Sequence, residues 1–330
     1  MLNRRRFAAQ SASAGIAALL IPSTKAAIAQ GFAKPVRLVV GFPPGGAPDV
    51  VARLLAEQMK DYAPSLIVDN RPGAGGRVAL EVLKGSEADG SVMVVTPVDQ
   101  LALFPHIYNR LSYKPLEDFA PVTTLCSVQF LLAVGPRVPA SVQSLAEFIA
   151  WCRENPTVAT YGTGGAGTHP HFLGVTLARA AGFEFVHAPY KGGVAAVQDL
   201  LGGHLAACIS TIGTLLPNVQ SGGLRVLATT APTRSLALPN VPTFKEAGYP
   251  MLESLERFGV VVPSRTPPDT VAALHKSIHL ALNTQAVRAG LLRLSLEPEQ
   301  GSPSEFARLI ASDTQRWAEV VKASGFKPID

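Results

Sequence analysis

Short apolar runs alternate with segments of helical period along most of the 330-residue chain. VRLVVGF (36–42), SVMVVTP (91–97), FLLAVGP (130–136), VATYG (158–162), EFVHAPY (184–190), LRVLATT (224–230) and FGVVVPS (258–264) read as strands. Between them, DVVARLLAEQMKDY carries Val51, Leu54, Leu55 and Met59 on one helical face, with Asp49 as its N-cap. SLAEFIAWCREN (144–155) stops before Pro156, and VAAVQDLL (194–201) is bounded by Gly192-Gly193 and Gly202-Gly203. Strands alternating with helices predict an α/β protein with mostly parallel sheets. The C-terminal stretch, from PPDTVAAL to WAEVVKAS, is almost all helical and is expected to cover a sheet.

Two loops interrupt this pattern in the same way. GFPPGGAPDVVARLL (41–55) takes a strand through two prolines and two glycines into a helix expected to begin at Asp49. YGTGGAGTHPHFLGVTLARAAG (161–182) repeats the plan, with a helix begun near Thr168 to Pro170 and ended at Gly182. Pro170 suits a first helical turn, where its missing N–H costs nothing. Both loops aim unpaired N–H groups and the positive end of a helix dipole at one point, which is the physical design of an anion site. Neither is a nucleotide motif: Ala47-Pro48-Asp49 stands where a P-loop needs Gly-Lys-Ser/Thr, and the glycines from 162 to 167 miss the dinucleotide spacing. The Asp49 charge beside the first loop discourages a phosphate, so a carboxylate held by N–H groups and bridging water is expected. Gly45 and Gly165 are the positions where a β-branched side chain is expected to abolish binding.

The N-terminus changes the picture of location. MLNRRRFAAQ is basic, SASAGIAALLI is apolar but too short to span a bilayer, and Ala27-Ile28-Ala29 is an A-x-A cleavage site. Residues 1–29 therefore read as a secretory signal peptide, and Arg4, Arg5 and Lys25 favour the twin-arginine route over an ordinary export signal. The expected location is periplasmic. Without Arg4, Arg5, Arg6 and Lys25, the 29 basic residues fall to 25 against 24 acidic, a balance of +1. The overall pI near 9.2 thus reports the signal, and a nucleic-acid partner is not expected. The 301 remaining residues predict two domains. Cys126, Cys152 and Cys208 are an odd set at long spacing, expected to be buried free thiols.

Catalytic patterns are missing. There is no G-x-S-x-G elbow and no H-E-x-x-H, and His169 and His171 are poorly spaced to ligate a metal together on a helix. No metal and no cofactor are expected. His169 either faces a ligand or caps its helix, and His171 packs or hydrogen-bonds locally. Lys191, in PYKGG, is either a lone ammonium near the cleft or a solvated surface lysine.

VRLVVGFPPGGAPDVVARLLAEQM, VDNRPGAGG, YKPLEDFAPVT, YGTGGAGTHPH, APYKGGVAAVQDLLGG, GGLRVLATTAPTRSLALPNVPTFKEAGYP and GSPSEFARLIASDTQRWAEVVKASG stand in this order. Together they resemble the Bug-type solute receptors of tripartite tricarboxylate transporters. That resemblance implies a type II periplasmic-binding-protein fold, two α/β domains closing over a small carboxylate in the cleft between them. Domain 1 is then residues 30–127 and 255–330, and domain 2 residues 128–254, with crossovers near Ser127 and Leu255. The ligand-binding residues it implies begin with Phe42, Pro43, Pro44, Gly45, Gly46 and Asp49 of the first loop. Thr163, Gly164, Gly165, Gly167, Thr168 and His169 form the second loop, and Asp99, Tyr190 and Ser210 complete the set.

Three positions depart from the family pattern. Relatives carry Asn and Ser where this chain has Ala166 and His169, and an acidic residue where Ser210 stands, which argues against an amino-acid ligand. Asp99 stands where relatives have small hydroxyl residues. It either reaches the cleft, binding a donor or cation and repelling a second carboxylate, or points outward as a turn residue.

The expected function is a monomeric, non-enzymatic receptor that hands a small organic carboxylate to the membrane subunits of a tripartite transporter. A sensor docking a signalling partner is the alternative within binding proteins. An exported carboxylate-processing enzyme using His169, Asp99 and Lys191 is the alternative from another class.

Overall fold

Each of the seven apolar runs forms a strand, and four further strands join them. The computed structural model describes residues 35–330, so the export-signal reading of residues 1–29 lies outside the described residues. The strands are β1 (Val36–Val40), β2 (Leu66–Asn70), β3 (Val92–Pro97), β4 (Phe119–Val128), β5 (Phe130–Val134) and β6 (Thr160–Thr163). They continue with β7 (Val186–Pro189), β8 (Ala207–Thr211), β9 (Arg225–Thr229), β10 (Glu256–Pro263) and β11 (Glu297–Pro298). The helices are α1 (Ala47–Gln58), α2 (Arg77–Lys84), α3 (Asp99–Ala102), α4 (Phe104–Ile107), α5 (Pro115–Asp118) and α6 (Leu145–Glu154). After them come α7 (His169–Ala181), α8 (Gly193–Leu201), α9 (Ile212–Gln220), α10 (Pro268–Leu282), α11 (Gln285–Arg293) and α12 (Pro303–Ser324).

Two sheets result, ordered β11-β4-β10-β3-β1-β2 and β7-β6-β8-β5-β9. The orders β2-β1-β3-β10-β4 and β7-β6-β8-β5-β9 follow one plan. In each, a first strand lies parallel between two others, and an antiparallel strand follows beside them. The sheets are therefore mixed, not mostly parallel as the alternation predicts. The reason is directional. β5 enters directly after β4, and β10 enters after the 230–255 segment. Each starts at the edge where the parallel strands end, so it must run back against them: Phe130 pairs with Thr211, and Phe258 with Pro97.

That common edge positions the site. In an open α/β sheet, the carboxyl ends of parallel strands feed helix N-termini, and ligands collect there. β1, β2 and β3 feed α1, α2 and α3; β6, β7 and β8 feed α7, α8 and α9.

The C-terminal helices cover the first sheet, as expected. α12 lays Phe306, Ile310, Trp317 and Val321 beside Val39, Val94 and Val261. Gly259 makes that possible, because a Cβ there would lie 2.3 Å from the Phe306 ring. On the second sheet, Phe148 of α6 and Leu173 and Leu177 of α7 pack against Leu132, Tyr161 and Ile209. Cys126, Cys152 and Cys208 are buried and unpaired. Among the described residues, no helix is long and apolar enough to cross a membrane.

Candidate functional site

In the first loop, Gly46 is the N-cap of α1, with extended backbone (φ −71°, ψ 160°), and Pro48 fills the first turn. Asp49 is not the N-cap. It is the third helical residue and is 1% exposed. Its carboxylate accepts from Gly45 N (2.9 Å), Arg53 Nε (3.0 Å) and Asn70 Nδ2 (2.9 Å). An acid at this helical position reaches back to a loop N–H as in a capping box. Burial alone would raise its pKa, but Arg53, Gly45 and Asn70 outweigh burial and hold the carboxyl below its ordinary value. The charge expected to discourage a phosphate is therefore balanced by Arg53. Asn70 also donates to Phe42 O at 3.0 Å, tying the end of β2 to the loop. Gly45 has φ 86°, the left-handed region that favours glycine. Pro43, Pro44 and Gly45 are exposed, Phe42 and Gly46 half-buried, and no side chain caps α1.

The second loop has the same construction. Thr168 is the N-cap of α7 (φ −86°, ψ 160°), Pro170 lies in the first turn, and again no side chain caps the helix. Thr163 is buried and its hydroxyl is used internally. It donates to Gly165 O (3.0 Å) and shares a 2.7 Å hydrogen bond with His187 Nε2. Thr168 Oγ1 donates to Gly165 O at 2.8 Å. Gly167 N donates to His171 Nδ1 at 3.1 Å, and the His171 ring stacks on His187 at 4.0 Å. His171 thus both packs and hydrogen-bonds locally. Burial lowers its pKa, and burial followed by the neighbouring His171 brings that of His187 down to about 4.

Gly165, one of the two glycines where a β-branched residue is expected to abolish binding, has no left-handed φ, and a Cβ there would meet nothing nearer than 3.4 Å. The constrained position is Gly167, with φ 72° and Ile107 and Phe326 at 3.2 and 3.3 Å from a built Cβ. Sequence alone does not separate the two, since their difference lies in backbone torsion.

Tyr190 and Ser210 adjoin this loop. Tyr190 N donates to Thr163 O (3.0 Å) and Gly192 N to Gly164 O (3.1 Å). A Cβ on Gly164 would lie 3.1 Å from Gly193 N, and one on Gly193 would lie 2.7 Å from Ser210 Oγ. The Tyr190 hydroxyl donates to Asp199 at 2.6 Å. Lys191 is exposed.

His169 joins the two sheets. It is 1% exposed, lies between the rings of Phe130 (4.8 Å) and Trp317 (4.7 Å), and its Nε2 is 3.0 Å from Ser254 Oγ. Its Nδ1 faces Asp99 Oδ2 at 3.6 Å and Glu256 Oε2 at 4.0 Å. Asp99 therefore turns neither into open solvent nor outward as a free turn residue; it points at His169. Burial would raise the pKa of Asp99, but His169 and its other neighbours hold it lowered. Burial and then the Asp99 charge push that of Glu256 well above the ordinary carboxylate value. Glu256, Ser254, Arg53 and Asn70 were not singled out by the sequence. The signal for Glu256 was a carboxylate opening the strand ERFGVVVP just before its apolar part.

The profile of a family described as "Tripartite tricarboxylate transporter family receptor" matches residues 51–326. Protein BugT of Bordetella pertussis is 34% identical over 318 residues, 96% of this chain and 95% of that protein. An R. palustris protein solved with adipate is 30% identical, with a TM-score of 0.79 over 90% of this chain and 100% of that one. MatC from Rhodopseudomonas palustris with bound malate is 28% identical, with a TM-score of 0.74 over 88% of this chain and 100% of that one. The periplasmic binding protein BugD is 26% identical, with a TM-score of 0.75 over 89% and 99%. The expected type II fold of periplasmic binding proteins, built from two α/β domains, is borne out. With seven ordered segments, one repeated sheet plan and these likenesses in agreement, the chain belongs to the receptor family of tripartite tricarboxylate transporters.

Proposed function

We propose that this receptor binds a small organic carboxylate between the loop from Phe42 to Asp49 and the loop from Thr163 to His169. The carrying observation is that α1 and α7, one from each sheet, start without side-chain caps at the carboxyl ends of parallel strands. Their free N–H groups and dipole ends suit an anion. Adipate and malate in two solved relatives support a carboxylate as that anion. Domain 1 is residues 30–127 and 255–330 and domain 2 residues 128–254, a division supported by the strands each sheet contains. Phe42, Pro43, Pro44, Gly45, Gly46, Gly164, Gly165, Gly167, Thr168, Tyr190 and Ser210 line the grip. Asp49, Thr163 and His169 act on it indirectly, because internal contacts occupy their polar groups or bury them. The protein is exported, works in the periplasm as a monomer, and passes its ligand unchanged to membrane subunits.

Isothermal titration of the purified protein against malate, adipate, aromatic monocarboxylates and amino acids tests this reading. Saturable one-to-one binding of a carboxylate, lost in Gly45→Val and Gly167→Val, is the expected result. A folded protein that ignores every carboxylate but binds a neutral or cationic solute overturns it. Ligand recovered chemically altered after long incubation would instead restore the enzyme alternative.

A further inference from the structure

Asp99, His169 and Glu256 bring three metal-ligating atoms within 4.8 Å of one another, from three separate elements. Asp99 opens α3 after β3, Glu256 opens β10, and His169 opens α7 after β6 of the other sheet. The imidazole is 1% exposed and its Nδ1 has no hydrogen-bond partner; Glu256 Oε1 has none either. On the far side of the ring, Ser254 Oγ lies 3.0 Å from Nε2 and donates to Leu252 O at 3.5 Å. With its proton turned towards Leu252 O, the hydroxyl can accept from Nε2–H, the ring tautomer that metal binding at Nδ1 requires. That tautomer turns the bare Nδ1 lone pair towards two carboxylates. Nδ1 and the two carboxyl groups thus converge on one place suited to a positive charge, either a proton held between the carboxyl groups or a metal ion. Of the nearby cationic side chains, Arg316 pairs with Asp313 at 3.2 Å while its charge also acts on Asp99, and Arg257 pairs with Glu299 at 2.8 Å.

We infer that Asp99, His169 and Glu256 form a site for one divalent transition-metal cation, with zinc as the first candidate, at the junction of the two sheets. One imidazole and two carboxylates suit zinc better than calcium or magnesium, which prefer oxygen alone. Zinc bonds of about 2.0–2.2 Å place neighbouring ligand atoms roughly 3.3 Å apart. The observed separations of 3.6 and 4.0 Å to His169, with all three atoms within 4.8 Å of one another, then require inward movement of up to about 1.5 Å. The positive end of α7 opposes a cation by about 1 kcal/mol, which is small beside two carboxylates. Two anionic side chains and a neutral imidazole neutralise the ion in full. Bound there, it ties α7 of the second sheet to α3 and β10 of the first. The site does not depend on the carboxylate reading.

The test uses the purified protein, stripped with a chelator and titrated with zinc at neutral pH. One equivalent should bind and raise the melting temperature. Zinc-edge anomalous scattering from wild-type crystals should place one peak in contact with all three side chains. Asp99→Asn, Glu256→Gln and His169→Gln should each weaken binding by at least the roughly 10- to 100-fold that loss of a merely supporting residue costs. Absent binding overturns the inference. So does zinc binding that is unchanged in Asp99→Asn and Glu256→Gln, since the chain has seven histidines that could hold it elsewhere. Zinc without effect, beside a protein that loses stability as pH rises past neutrality, would mean that a proton fills the place and also overturns the inference. If His169→Gln does not fold, the wild-type anomalous peak and the two near-isosteric carboxamide variants decide. Carboxylate titrations of the stripped protein are read separately, so the two proposals fail independently.

Discussion

Asp49 places a buried negative charge beside a loop whose proposed task is to hold an anion. The conflict dissolves because Gly45, Arg53 and Asn70 occupy its oxygens and Arg53 balances its charge. In the proposed reading, Asp49 builds the loop and acts on the solute through it. Asp49→Ala should therefore destabilise the fold by about 1–3 kcal/mol, the cost of orphaning buried partners, and weaken solute binding as well. Its folded pKa lies below the ordinary carboxylate value, so its contribution is present above the unfolded pKa. It is lost as pH falls through the lower folded value, and Asp49→Asn should flatten that acid limb in urea titrations. A wild-type limb in Asp49→Asn would assign the slope to other carboxylates. The glycines separate by torsion. Gly45→Val has open space for its Cβ but must hold φ 86°, at about 1–2 kcal/mol of strain relieved by moving the loop. It should lose binding while remaining folded. Gly165→Val, with no such strain, should keep its fold and cost less affinity than Gly45→Val in the same titration; the reverse order would place the essential turn at Gly165.

At the scale of elements, α7 lies on β6 because Gly174 has no side chain: a Cβ there would sit 2.2 Å from the Tyr161 ring. Tyr161 is fully buried and donates its hydroxyl to His171 O at 2.9 Å, so it has no free direction in which to yield. Gly174→Ala should destabilise by about 1–3 kcal/mol, the usual cost of overpacking, and tilt α7 away from the sheet. Unchanged urea stability would show that the ring can move. Nothing in FLGVTLARAAG announced this, because a glycine inside a helix reads only as a weak helix former. The same limit explains what else the chain concealed. The seven strands with continuous apolar runs were legible. β4 was hidden by Pro121 and its threonines, β2 by its half-buried edge position, and β8 by the Ser210-Thr211 end that interrupts its apolar run. Both glycine loops were legible as helix starts, since glycine and proline act locally. The Asp99–His169–Glu256 meeting was not, because its members lie 70 and 87 positions apart and only the sheet crossings bring them together.

Over the whole molecule, the two sheets are linked at Gln129 and through residues 230–255, and both links are laced by hydrogen bonds. Phe130 N donates to Thr230 Oγ1 at 3.0 Å, Ser254 N to Thr230 O at 2.9 Å, and the Thr229 hydroxyl to Gln129. Val98 N donates to Arg257 O at 2.8 Å, fixing the start of α3 to β10. If the proposed closure occurs, a hinge so bonded is expected to act as a joint between two stiff bodies, with little of the motion absorbed within either sheet. A solute gripped by one loop from each body gains most when the bodies approach, so it favours the closed arrangement by its differential affinity alone. Saturating carboxylate should therefore reduce the radius of gyration in solution scattering, and at 100 times its Kd should add about 2.7 kcal/mol of stability. Gly45→Val removes one half of the grip while leaving the joint intact. It should show neither effect at the same concentration, yet keep the wild-type radius when free. A stabilised protein with an unchanged radius would mean that one loop binds alone and that the second sheet contributes nothing to the grip.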